Sequence, residues 1–170
     1  MDLFNHYRTR LIEKFGVDEV FFNSDFNTWT LKRGMSDQAK SDFIWSQFNK
    51  LVNDAPARYG NSLHRNLISI YSEMAQLLRH EKRDYKHIVR LIHLCHMENA
   101  ENDTYKINAH IHAENCCPEC GKYDGIVIPL YKAIKDQMIP FKECTRNNGC
   151  VCFYGFRVER DSNDRPVRKN

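Results

Sequence analysis

The chain has 170 residues, 42% of them hydrophobic and 12% aromatic, with 25 Lys/Arg against 22 Asp/Glu and a formal charge of +3. So much apolar surface excludes a wholly disordered chain, and the absence of any apolar run near the ~18 residues a membrane span needs excludes a membrane-spanning class. The charge falls short of the dense basic stripe of a committed nucleic-acid binder, yet it is uneven: residues 1–115 balance 15 against 15, whereas residues 116–170 carry 10 Lys/Arg against 7 Asp/Glu.

Phe4, Tyr7, Leu11 and Phe15 fall at helical spacing and Gly16 supplies a stop, which predicts a helix over 3–15. Val20-Phe21-Phe22 and the run from Phe26 to Leu31 are β-prone, and Asn23-Ser24-Asp25 between them predicts a hairpin within 17–31. Ser36 is placed to cap a helix over 37–52, with Ile44, Phe48, Leu51 and Val52 as its stripe, before Ala55-Pro56 interrupts. Leu63, Leu67, Ile70, Tyr71, Met74, Leu77 and Leu78 keep 3- and 4-residue steps and predict a helix over 62–79; Ile88, Leu91, Ile92 and Cys95 predict another over 84–98.

Near residue 100 the character changes. After the polar break at 99–103, Ile107, Ala109, Ile111 and Ala113 alternate with Asn108, His110, His112 and Glu114, the pattern of a half-exposed strand. Gly125 to Ile128 reads as a second strand and Leu130 to Gln137 as a short helix. Cys150 to Val158 reads as a third strand with Cys150, Cys152, Tyr154 and Phe156 on one face. The expected fold is α+β: a mainly helical domain over 1–100, a small zinc-bound β unit of zinc-ribbon type over 104–160, and a flexible basic tail over 161–170.

The zinc expectation comes from cysteine spacing. Cys117 and Cys120 form a C-x2-C knuckle that puts two sulfurs on one loop, and Cys144, Cys150 and Cys152 follow as a second cluster, the arrangement of a structural Zn²⁺ site. Five sulfurs compete for four positions, and Cys150 and Cys152, on the same side of one strand, are not separated by spacing alone. Cys116 is a poorer candidate because its neighbour already starts the knuckle, and Cys95 belongs to a helix stripe as a core residue. The N-terminus lacks a signal-peptide profile, so a cytoplasmic protein is expected. There, seven cysteines read as metal ligands and buried thiols rather than disulfides.

The run Cys117-Pro118-Glu119-Cys120, then Tyr123-Asp124-Gly125, Ile139-Pro140, Cys144-Thr145 and Gly149-Cys150-Val151-Cys152, resembles a module found in many small bacterial and phage proteins. It is similar, more distantly, to the C-terminal motif of phage Mu F-like head-morphogenesis proteins. Those commonly have His where Cys144 stands, and their spacing to the C-x-C pair is shorter. The resemblance covers residues 117 to about 156 and implies a metal-bound module, with a head-assembly role as one expectation.

Other patterns carry weaker chemistry. His93 and His96 lie three apart on one predicted helix, and His110 and His112 share one strand face beside Glu114, so either pair could meet a second metal ion. Arg58 and His64 have a spacing used by some helical ribonucleases. Tyr154, Phe156, Arg157 and Arg160, beside Lys122, Lys142 and Arg146, interleave aromatics with cations as single-strand binders do. A solvated basic rim explains the same residues. No Gly-rich phosphate loop, G-x-S-x-G elbow or H-E-x-x-H occurs. The leading expectation is a non-enzymatic, zinc-stabilised protein, possessing no small-molecule cofactor beyond zinc, that binds nucleic acid or a protein partner, encoded by a phage or mobile element. A metal-dependent nuclease using the histidines between His93 and His112 is the alternative.

Overall fold

Asp2 accepts a hydrogen bond from the Asn5 backbone and caps α1 (Leu3–Thr9). In the computed structural model, which describes residues 2–147 and 149–169, the chain continues through a π-helical turn, Arg10–Lys14, to Gly16. Tyr7, Leu11 and Phe15 are buried, as their spacing predicts.

The hairpin expected over 17–31 is instead α2 (Glu19–Arg33). Asp18 Oδ1 accepts from the backbone of Val20 at 2.8 Å and Phe21 at 3.0 Å, which fixes the first helical turn. Phe22, Phe26 and Trp29 then fall on one helical face, their ring centroids 5.1, 5.0 and 5.7 Å from that of Phe43. Val20, Phe21 and Leu31 point to solvent. These outward apolar residues imitated a strand pattern, and packing against Phe43 overrode β-propensity.

Helix α3 (Asp37–Tyr59) does not stop at Ala55-Pro56 but carries Pro56 inside it. Pro56 sits in the last turn, so the helical bond its missing N–H removes is one of the final ones and the helix ends within three residues of it. Ala55 beside it is buried, and Arg58 Nη2 donates to the carbonyls of Phe15 at 2.6 Å and Gly16 at 3.0 Å, holding that turn in place.

The chain divides between Arg58 and Tyr59 into two compact units. In the second, α4 (Leu63–His80) packs on α5 (Lys86–Glu101), both close to the predicted spans. A three-stranded antiparallel sheet follows, with β1 (Ile107–His112) central between β2 (Val127–Pro129) and β3 (Phe153–Val158). Helix α6 (Pro118–Gly121) is the knuckle, and α7 (Leu130–Asp136) leaves β2 directly. The protein is thus α+β. The change near residue 100 is a passage from helix to sheet inside one unit, because Met97 and Leu94 of α5 join Ala109, Ile111, Leu130, Ala133 and Tyr154 in a single core.

Residues 161–169, expected as a flexible tail, turn back. Asp161 accepts from the backbone of Asn163 and Arg165, and the returning segment bridges Arg160 to Pro166 and Tyr105 to Arg168. Lys106 N donates to Val167 O at 2.9 Å. Among the described residues no helix is long and apolar enough to cross a membrane.

Candidate metal centre and exposed sheet face

The knuckle is anchored to the sheet by its D-G turn. Ala113 N donates to Asp124 Oδ1 at 2.6 Å, and Gly125 N to Ile111 O at 2.9 Å, so the loop that carries Cys117 and Cys120 continues the β1–β2 ladder. Phe141 stacks on Tyr123, centroids 4.5 Å apart, and brings the segment leading to Cys144 over the knuckle. Gly149 has φ +81°, and a Cβ there would run into the Tyr85 hydroxyl; glycine alone lets the chain turn at that point toward Cys150.

These elements bring the predicted cysteines together. Cys117 Sγ lies 3.4 Å from Cys120 Sγ and 4.0 Å from Cys144 Sγ, and Cys120 Sγ lies 4.0 Å from Cys150 Sγ. Four sulfurs around one tetrahedral zinc at ≈ 2.3 Å stand about 3.8 Å from one another, so the spacing suits a metal ion. Two trios, Cys117/Cys120/Cys144 and Cys120/Cys150/Cys152, each have all sulfurs within 4.8 Å, and Cys120 belongs to both. Cys116 belongs to neither trio, but its Sγ lies 3.1 Å from that of Cys152. Its sequence position beside the knuckle gave no sign of this; the contact depends on the chain entering β3 bringing Cys152 back to the knuckle.

The ionisation of the cluster is split. The Thr145 backbone N–H, 3.5 Å from Cys117 Sγ, holds that thiol down at about 6. Burial works against ionisation of Cys150, but hydrogen bonds from the Cys152 and Phe141 backbone bring it below the ordinary thiol value. Burial pushes Cys120, Cys144 and Cys152 up. A bound cation reverses that last effect, because thiolate ligands are deprotonated by the ion they hold. An all-sulfur donor set selects soft or borderline ions.

The histidines expected to form a second site lie elsewhere. His93 packs edge-on against Tyr154, centroids 5.7 Å apart, and burial, followed by the charge of neighbouring His96, carries its pKa down to about 4. Burial likewise lowers His96. Neither pair of histidines belongs to a group of three or more potential ligands among the described residues. The group that does contain a histidine joins His64 of α4 to Cys95 and Glu98 of α5. His64 Nδ1 there is buried, 3.7 Å from Glu98 Oε2 and without a hydrogen-bond partner. Arg58, paired with His64 in the ribonuclease-like spacing, is engaged with the carbonyls of Phe15 and Gly16.

Neutral His93 makes the fold acid-sensitive. Its folded pKa is depressed below the unfolded value of 6.5, so its contribution is fully present above that value and is lost as pH falls toward 4. Denaturant melts at about pH 7.5 and about pH 5 should show wild type losing about 2 kcal/mol more than His93→Phe across that interval. Thiolate protonation affects both proteins alike, so equal losses would remove His93 from the account.

The face of the sheet opposite the core carries the second group of interest. On β1 and β3, His112 pairs with Phe153, His110 with Gly155 and Asn108 with Arg157. The rings of His112 and Phe153 stack at 4.8 Å with 9° between planes, and Phe153 is 53% exposed. A Cβ on Gly155 would stand 2.5 Å from His112 Nε2, so glycine is what lets the imidazole lie flat across the sheet. Desolvation and the nearby positive charge of Arg157 lower the pKa of His110.

Of the cations and aromatics expected at a nucleic-acid surface, Arg157 lies on this face and is exposed. Tyr154 does not: it is buried on the core side, its hydroxyl accepting from Ile139 N at 3.3 Å. Lys122 is exposed and ion-paired with Glu119, and Lys142 and Arg146 are exposed between α7 and Cys150. Phe153 and His112 lie on the face opposite Tyr154 in the same strand alternation, a face the sequence reading did not single out as an aromatic surface. Set against protein-family models, curated proteins and solved structures, the chain finds no match among them.

Proposed function

We propose that this protein is a zinc-stabilised, non-enzymatic binding protein whose exposed sheet face receives single-stranded nucleic acid. The observation that carries the reading is the solvent-facing His112–Phe153 stack, accommodated by Gly155, with Arg157 further along the same face of the sheet. Bases stack on aromatic rings regardless of sequence, and an adjacent guanidinium pairs with phosphate. Zinc fits the buried thiols, and sulfur filling its coordination sphere leaves no position for a reacting water. The metal therefore holds β1 and β3 in register beneath the face instead of taking part in chemistry. The resemblance of residues 117 to about 156 to phage modules agrees with a mobile-element origin, and a head-assembly role follows only from that resemblance.

Incubating the protein with labelled single-stranded DNA and RNA, with Mg²⁺ or Mn²⁺ present, tests the reading. Retention of intact strands that weakens steeply with added salt is the expected result. Cleavage products that vanish when His110 or His112 is replaced would establish the nuclease alternative, and no retention at low salt would remove nucleic acid as the partner.

A further inference from the structure

We propose that His64, Cys95 and Glu98 form a further metal site, separate from the thiolate cluster, that binds one divalent ion of the zinc or cobalt type and leaves a coordination position open to solvent. His64 stands in the first turn of α4, and Cys95 and Glu98 stand three residues apart toward the end of α5. That step puts both side chains on one face of α5, and the packing of α5 on α4 brings His64 against them. One nitrogen, one sulfur and one carboxylate oxygen, each a ligand atom, lie within 4.8 Å of one another. Facing helices that lend inward side chains at i and i+3 build metal sites in helical bundles.

The orphaned nitrogen of His64 points to an ion rather than to a hydrogen-bonded cluster. Its Nδ1 is buried and has no hydrogen-bond partner, although Glu98 Oε2 stands 3.7 Å away. A buried polar atom left unpaired is uncommon, and this gap is too long for a hydrogen bond. It is close to the span across a metal: nitrogen and carboxylate oxygen on one tetrahedral zinc stand about 3.4 Å apart, and sulfur stands about 3.6 Å from either. Charge balances as well. Binding releases the Cys95 thiol proton to solvent, and thiolate and carboxylate together offset a divalent ion beside a neutral imidazole. Calcium and magnesium prefer oxygen alone, whereas a mixed nitrogen, sulfur and oxygen set suits zinc or cobalt. Exposure is graded across the group: Cys95 is 5% exposed, and the side chains of His64 and Glu98 are 22% and 42% exposed. The sulfur therefore lies beneath the ion and the fourth position faces water, as in zinc sites with three protein ligands. An ion held so should exchange more readily than one enclosed by sulfur.

Dialysis of the full chain against excess Zn²⁺, followed by elemental analysis, should leave wild type with one equivalent more than His64→Ala or Glu98→Gln. Each substitution should weaken binding of that equivalent by more than the roughly 10- to 100-fold that loss of a mere outer-shell partner costs. Subsequent dialysis against excess Co²⁺ should replace the exchangeable ion. The spectrum of wild type less that of His64→Ala should then show tetrahedral cobalt bands in the visible and one thiolate-to-cobalt charge-transfer band, which Cys95→Ser abolishes. Equal metal content in wild type, His64→Ala and Glu98→Gln overturns the site and leaves the thiolate centre standing. An additional equivalent whose cobalt form lacks the charge-transfer band overturns it as well, since the sulfur is then no ligand. A protein whose sole metal departs with His64→Ala keeps this site and removes the thiolate centre. Should Cys95→Ser or His64→Ala fail to fold, Glu98→Gln, which alters a half-exposed side chain, serves as the reference for both the stoichiometry and the difference spectrum.

Discussion

Stripping the metal with a strong chelator, or replacing Cys120 by Ser, should unfold residues 59–170 at ambient temperature. Cys120 is fully buried and is the sulfur common to both trios, so its loss reaches every ligand in the cluster. Structural zinc contributes on the order of 10 kcal/mol to the folding of small modules, comparable to the 5–15 kcal/mol net stability of a whole domain. The dependence is sharpened by what remains without the ion. Desolvation holds three of the thiols against ionisation, two others are biased toward thiolate, and the sheet they support has only three strands. Loss of near-ultraviolet dichroism and rapid tryptic cleavage after residue 59 would report the transition, with re-addition of zinc restoring both. Cys95→Ser, which alters a cysteine outside the cluster, should retain the cluster's metal. A melting curve that the chelator leaves untouched would falsify the metal reading outright.

How far the sequence revealed this arrangement depended on whether a signal was local. The helices α4 and α5 declared themselves because their apolar stripes repeat at helical steps without help from elsewhere. The cysteine knuckle was equally plain, since C-x2-C fixes two sulfurs within one turn. The strand β1 followed from strict alternation. Where the deciding contact was distant, the reading failed: α2 is helical because Phe22, Phe26 and Trp29 find Phe43, and α3 passes Pro56 because Arg58 reaches back to Phe15 and Gly16. The neighbour that Cys116 finds is likewise set by a distant contact. Its neighbour Cys152 is remote in sequence and arrives only once β3 has paired with β1. The tail, polar and basic, offered no apolar reason to fold; what orders it is backbone pairing with residues 104–106, which composition does not encode.

Phe153→Ala should weaken the binding of single-stranded oligonucleotides by roughly 1–3 kcal/mol, about 5- to 150-fold, while leaving the metal content and melting curve in place. The ring is exposed and stacked on His112 rather than built into the core, so its removal takes away a stacking platform without opening a cavity. Arg157→Gln addresses a different component. Its defect should be largest at low salt and should reduce the slope of log affinity against log salt by about 0.7, the value for one phosphate contact on a single strand. The Phe153→Ala defect should persist as salt rises, because stacking does not depend on counterion release. Gly155→Ala separates geometry from charge: its methyl group would collide with the His112 ring and tilt it out of the sheet plane, lowering affinity with every cation intact. Lys132→Gln, an exposed cation on α7, which packs on the opposite side of the sheet, should change little. Wild-type affinity in a well-folded Phe153→Ala protein would move the contact surface off this face, since among the described residues no other large hydrophobic ring on it is exposed.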